Sequence, residues 1–373
     1  MKKLNIPVGI SDFREIRENG YYYIDKTFLI YELLKTPATK VTLITRPRRF
    51  GKTLGMSMLA DFFDIRKESS SLFEGLDISE KASICNEWMN QYPVIFLSLK
   101  DIDGLTFEDA YGQLVAQIAD LYKEYTYLLE CAEIDEDDKK IFLDLKAGKA
   151  DKVQITRSLG TLMKMLQIYY HKPVILLLDE YDVPVAKASN HGYYNEMLDI
   201  MKGIMSTALK DNQALRFAVI TGCLKIAKES IFTGTNNFVS DTIRDSRYNE
   251  YFGFTQTEVD KILNDSGCIE HAENVREWYD GYHFGEVDVY CPWDVMNYLR
   301  DLQHDIMAKP ESYWKNTSDN AIIRSFIEYA GTNITKKDGN AVSRGTTLYK
   351  TLMKISHMIT CIHQRKICGV FCI

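Results

Sequence analysis

The chain has 373 residues, 46% hydrophobic and 26% charged, values of an ordinary globular protein and not of a disordered or membrane-spanning one. At roughly 100–200 residues per domain, that length allows two or three domains with a sizeable core. The 45 Lys and Arg against 52 Asp and Glu leave a net charge of −7, which argues against a surface built mainly to neutralise nucleic-acid phosphates. No stretch approaches the roughly 18 apolar residues of a spanning helix. The start, Met1-Lys2-Lys3-Leu4-Asn5-Ile6-Pro7, lacks the apolar run of a signal peptide. A cytoplasmic protein with no membrane partner is expected. None of the eight cysteines falls in a CxxC or zinc-type spacing, so reduced thiols are expected.

Along the first two thirds, short β-branched runs alternate with longer amphipathic stretches, the pattern of an α/β domain with a largely parallel sheet. The runs are Val41-Thr42-Leu43-Ile44, Val94-Ile95-Phe96-Leu97, Val174 to Leu178 and Phe217-Ala218-Val219-Ile220. Each is nearly continuous and so suits a strand covered on both faces. Helical periodicity fills the intervals, for example Phe107 to Tyr125 and Val153 to Tyr170, whereas the acidic segment Glu130 to Lys140 reads as a solvated loop. After about residue 250 the strand runs stop. Thr255-Gln256-Thr257-Glu258 is a capping box opening a helix through Val259, Ile262 and Leu263, and a smaller helical domain is expected to follow.

The strongest chemical constellation is Thr45-Arg46-Pro47-Arg48-Arg49-Phe50-Gly51-Lys52-Thr53, directly after the first buried run and opening an amphipathic one. A phosphate-binding loop needs amides at a helix N-terminus, an ammonium for the β/γ-phosphates and a hydroxyl for Mg²⁺. Gly51, Lys52 and Thr53 supply these, although Arg46 stands where GxxxxGK[ST] has its first glycine. The run Val174 to Leu178 ends in Asp179-Glu180, and ligands of open parallel sheets bind at that carboxyl edge. One carboxylate can hold the metal's water shell while the next polarises an attacking water. The fourth run ends in Thr221-Gly222; Thr221 is a candidate sensor of the terminal phosphate or a plain strand-end threonine. Arg46, Arg48 and Arg49 read as partners of phosphate, of nucleic acid or of the carboxylates opposite, with phosphate or carboxylate pairing favoured. Arg244 and Arg247 read as an arginine finger or as surface ion pairs, Asp25-Lys26-Thr27 as a helix cap or a contact to adenine or ribose, Tyr279 to Gly285 as an aromatic turn, and Cys223 as packing rather than a nucleophile.

These segments resemble the bacterial AAA-ATPase-like family. The resemblance runs from residue 6 to about 330, through Ile6 to Phe13, Tyr22 to Thr27, Arg46 to Thr53, Leu177 to Asp182, Thr221-Gly222, Ile231 to Asn237, Phe252 to Thr255, Trp278 to Gly285, Tyr290 to Trp293 and Tyr313 to Ser318. The family's loop usually reads Arg-Pro-Arg-Arg-Phe-Gly-Lys-Ser/Thr, so the missing glycine is a family trait. The resemblance implies an ASCE-type P-loop NTPase core over 1–250, its parallel sheet sandwiched by helices, with a mostly helical lid over 251–335. It also implies a STAND-like ATPase in which Lys52 and Thr53 take phosphate and Mg²⁺, Asp179 supports Mg²⁺, and Glu180 activates water. The expected activity is Mg²⁺-dependent ATP binding with slow hydrolysis as a conformational switch. The alternative is a non-hydrolysing, nucleotide-dependent interaction module. A homo-oligomer or a partner protein is possible on either reading.

Members commonly continue into a PD-(D/E)XK nuclease-like domain, the indirect route by which nucleic acid would enter. Residues 336–373 do not fit that continuation, and Cys361, Cys368 and Cys372 crowd the last thirteen residues. Codons allowed for Leu352 to Cys372, read one base out of register, can spell a segment ending Leu-Trp-Ser-Val-Leu-Tyr, as the family does. A frameshift near 335–350 and a poorly ordered, aberrant tail are therefore expected.

Overall fold

The computed structural model describes residues 3–36, 38–226, 231–232 and 238–313. The expectations for the tail, for 233–237 and for 314–318 lie outside the described residues. The chain divides into two compact units. One is Ile10–Phe252; the other takes in the N-terminal residues up to Gly9 and the described residues from Gly253 onward. Among the described residues no helix is long and apolar enough to cross a membrane.

The larger unit is built on a five-stranded parallel sheet: β1 (Val41–Thr45), β2 (Val94–Ser98), β3 (Val174–Asp179), β4 (Leu215–Gly222) and β5 (Phe238–Asp241), in the order β2-β3-β4-β1-β5. The four apolar runs are four of these strands, and β4 lies between the strand leading to the phosphate loop and the strand bearing the carboxylates. This is an α/β fold with helices on both faces, the architecture of a P-loop NTPase core.

Alternation along each strand explains why the runs are apolar throughout. Val41, Leu43, Leu176, Leu178, Ala218 and Ile220 belong to one core cluster, closed by the helices Phe107–Glu124, Lys152–Tyr170 and Tyr194–Leu209. Their neighbours Ile44, Ile175, Leu177 and Val219 belong to a second cluster with aromatic Phe13, Phe62, Phe63, Phe73 and Trp88. With period 2, a strand buried on both faces favours apolar residues at nearly every position. Each fully buried Leu or Ile contributes about 1.5–3 kcal/mol relative to exposure.

Three local readings change. The acidic segment expected as a loop contributes the helix Glu136–Lys146, capped by Asp135 and carrying Glu136, Asp137 and Asp138 in its first turn. Carboxylates there complement the helix dipole, so acidity favoured a helix start. Strands also continue past residue 250: β6 (Phe254–Thr255), β7 (Asp280–Phe284) and β8 (Val287–Tyr290) form an antiparallel sheet of order β6-β8-β7. The smaller unit is thus helical with a small sheet. Tyr279 to Gly285, expected as an aromatic turn, supplies β7, whose exposed His283 pairs with Asp288 at 2.8 Å. The Thr255 capping box forms as expected, with the hydroxyl accepting from the Glu258 amide and Glu258 accepting from the Thr255 amide.

Candidate nucleotide site

At the end of β1 the Arg46 N–H donates to the Gly222 carbonyl at 3.1 Å, carrying the ladder one residue beyond the strand. The loop then turns through two left-handed residues, Arg49 (φ 74°) and Gly51 (φ 80°). Gly51 caps the helix Lys52–Phe63 without a side-chain hydrogen bond. The first amides of a helix have no intrahelical acceptor, so this end offers N–H groups and positive dipole to an anion. Phe50 is buried and anchors the loop.

Lys52 is 4% exposed. Its ammonium donates to the Pro47 carbonyl at 3.1 Å, meets the Cys223 sulfur at 3.4 Å and lies 3.8 Å from a Glu180 oxygen. Burial alone would lower its pKa, but Cys223 where it ionises, together with the carboxylates of Glu180, Asp182 and Asp179, holds it above the ordinary value. Burial also pushes the Cys223 thiol up to about 11. That sulfur is therefore neutral near pH 7, and the carboxylates keep Lys52 charged.

Thr53 donates its hydroxyl to one Asp179 oxygen at 2.7 Å, and Thr221 donates to the other. Asp179 is wholly buried, so the two hydroxyls replace the water it has lost. Glu180 follows in a left-handed conformation, φ 56°, which costs a non-glycine residue about 1–2 kcal/mol. Its carboxylate remains partly accessible at 17% exposure. Tyr181 N–H then donates to the Thr221 carbonyl at 3.0 Å. The structure thus brings Lys52, Thr53, Asp179, Glu180 and Thr221 to the same edge of the sheet.

The three loop arginines separate. Arg46 is wholly buried; its guanidinium donates to the Thr45 carbonyl at 2.9 Å, to the Asp241 carbonyl at 3.3 Å and to the Asp241 carboxylate at 2.5 Å. Burial works against charge on both partners, lowering the pKa of Arg46 and raising that of Asp241. As a candidate phosphate ligand Arg46 is therefore corrected: its side chain ties the loop to β5 through Asp241, a carboxylate other than the Asp179 and Glu180 opposite. Arg48 and Arg49 are half-buried in the loop. Arg244 and Arg247 are exposed, Arg247 with its guanidinium 5.9 Å from the Tyr248 ring centroid.

Asp182 and Asp241 were not singled out from the sequence, and Cys223, expected as packing, lies against the Lys52 ammonium. The Asp241 pairing spans 195 residues and leaves no local signal. The four-residue run Asp179-Glu180-Tyr181-Asp182 was a clue to Asp182, because a second acid so close to a buried strand needs its own partners.

A lysine and a hydroxyl at a helix start, facing two carboxylates across an intervening parallel strand, define a P-loop nucleotide-binding protein. The chain belongs to the AAA-ATPase-like family: the family model, described as a predicted AAA-ATPase, matches residues 7–232. It is also similar to a protein of Azotobacter chroococcum mcd 1 described as "Uncharacterized protein in vnfD 5'region", with 30% identity over 299 residues. That match covers 79% of this chain and 52% of the relative. The chain spans about half the length of this curated relative.

Proposed function

We propose that the protein binds ATP with Mg²⁺ at the carboxyl edge of β1, β4 and β3 and hydrolyses it slowly, as a conformational switch. The observation that carries this reading is the convergence of Lys52, Thr53, Asp179, Glu180 and Thr221 at one helix N-terminus. Lys52 is charged, sheltered and held by Glu180 only at 3.8 Å, so phosphate oxygens can take over the ammonium. The amides following Gly51 complete the cradle.

The Thr53 hydroxyl and Asp179 carboxylate, 2.7 Å apart, are hard oxygen donors that fit Mg²⁺. When bound, the metal neutralises charge on the phosphates. Thr221 keeps Asp179 oriented through its second oxygen. Glu180 is the carboxylate with solvent access, and drawing Lys52 toward phosphate leaves it free to orient a water and accept its proton. Slow turnover suits a switch, which works by differential affinity for two states.

The test is ATP turnover of the wild-type protein against Glu180→Gln. We expect turnover to fall about 100-fold or more while ATP binding persists. Equal background rates would favour the non-hydrolysing interaction module. A homo-oligomer or partner protein would receive the switch's output, and nucleic acid would enter only through a nuclease-like continuation. For residues 336–373 the proposed reading is a shifted frame. The gene's nucleotide sequence tests it, and absence of that alternate frame contradicts it.

A further inference from the structure

Tyr181 and Asp182, the two residues after the site carboxylates, are buried and commit their polar atoms to one short segment beyond β4. The Asp182 carboxylate accepts the Cys223 N–H at 3.1 Å from each oxygen and the Leu224 N–H at 2.7 Å. The Tyr181 hydroxyl donates to the Leu224 carbonyl at 2.8 Å and accepts the Ile226 N–H at 3.0 Å. Gly222 completes the fit: a Cβ there would stand 2.5 Å from an Asp182 oxygen and 2.6 Å from the Tyr181 ring. No side chain larger than glycine allows this approach.

A carboxylate out of water is costly unless its oxygens are satisfied, and here backbone amides of this one segment satisfy them. That segment is a wall of the candidate nucleotide site. Thr221, immediately before Gly222, donates to Asp179, and Cys223 places its sulfur 3.4 Å from the Lys52 ammonium. Moving the backbone at 222–224 must therefore move the groups around Lys52.

We propose that Asp182 and Tyr181 are positioning residues that clamp Gly222–Ile226 as the wall facing Lys52, and thereby set the preference for a nucleoside triphosphate over a diphosphate. The inference rests on the ATP reading above. Its chemistry follows from the division of labour in a phosphate loop: the amides cradle the inner phosphates, and the lysine reaches the β/γ-phosphates. A displaced wall disturbs the lysine end and leaves the amide cradle intact, so the terminal phosphate should register the loss.

The experiment is equilibrium binding of ATP and of ADP, each with Mg²⁺, to wild type, Asp182→Asn, Tyr181→Phe and Lys52→Ala, with thermal unfolding in parallel. Asp182→Asn keeps the volume but turns one acceptor into a donor facing backbone N–H groups. ATP affinity should fall tenfold or more, with ADP affinity within threefold of wild type. Tyr181→Phe should shift the ATP-to-ADP ratio the same way by about threefold, and it carries the test if the Asp182 variant does not fold. Equal changes for both nucleotides, or none, overturn the clamp while leaving the ATP reading standing if Lys52→Ala abolishes binding. A wild-type protein that binds neither nucleotide overturns both.

Discussion

At one end of the phosphate loop Arg46 is sealed in the fold, its guanidinium on two carbonyls and on the Asp241 carboxylate at 2.5 Å. At the other end Lys52 is nearly as sheltered, yet its facing carboxylate stands 3.8 Å away and is itself partly exposed. The two cations share a loop and differ in how they are held. A buried, directly hydrogen-bonded pair fixes geometry, because losing one partner strands a charge in a poor solvent. A loose pair at the mouth of a helix can be exchanged for another anion. The loop is thus fixed at its root and exchangeable at its tip, as a site that must hold its shape while admitting phosphate requires.

This contrast breaks most sharply at the root. Arg46→Ala should destabilise the larger unit by about 3–5 kcal/mol, since it leaves Asp241 buried and unpaired, and chemical denaturation reads the loss directly. Replacing both partners with apolar residues of similar size should recover much of it. An Arg46→Ala protein as stable as wild type would place Arg46 with the exchangeable cations.

The next largest effect concerns pH. Burial pushes the Asp182 carboxyl up to about 6, against the pull of the Leu224 and Cys223 amides and of Lys52. Between about pH 4 and 6 the folded protein therefore holds a proton there that the unfolded chain, near 3.8, has released. Stability from this group is greatest below about pH 4 and is lost as pH rises through 6, by about 3 kcal/mol in all. Comparing wild type with Asp182→Asn across pH 4 to 7 isolates the contribution: the stability difference between them should change by that amount, and a constant difference would refute it. A smaller change is expected far from the site. Thr255→Ala should cost about 1 kcal/mol by removing the hydroxyl that caps the Gln256–Ser266 helix, measurable by thermal unfolding.

Much of this organisation was legible in the residues. The doubly buried strands announce themselves because period 2 with two covered faces favours apolar residues at nearly every position, and β1 to β4 fall on the four apolar runs. β5 hid because Phe238-Val239-Ser240-Asp241 is short and ends in a charge whose meaning comes from Arg46, 195 positions away. β7 and β8 hid because Gly281, His283, Asp288 and their aromatic neighbours mix polar and apolar residues on a half-exposed hairpin. In the site, Lys52, Thr53, Asp179 and Glu180 follow from what phosphate chemistry needs after a strand. Asp182 did not, because a buried acid and a solvated turn acid look alike until the amides that hold it are seen.

The proposed role of Lys52 as the exchangeable cation of an ATP site is tested by one equilibrium measurement: ATP affinity, with Mg²⁺, of wild type against Lys52→Ala, each shown to be folded. The expected result is a loss of about 100-fold or more, roughly 2.7 kcal/mol. Equal affinity in the two proteins would contradict it.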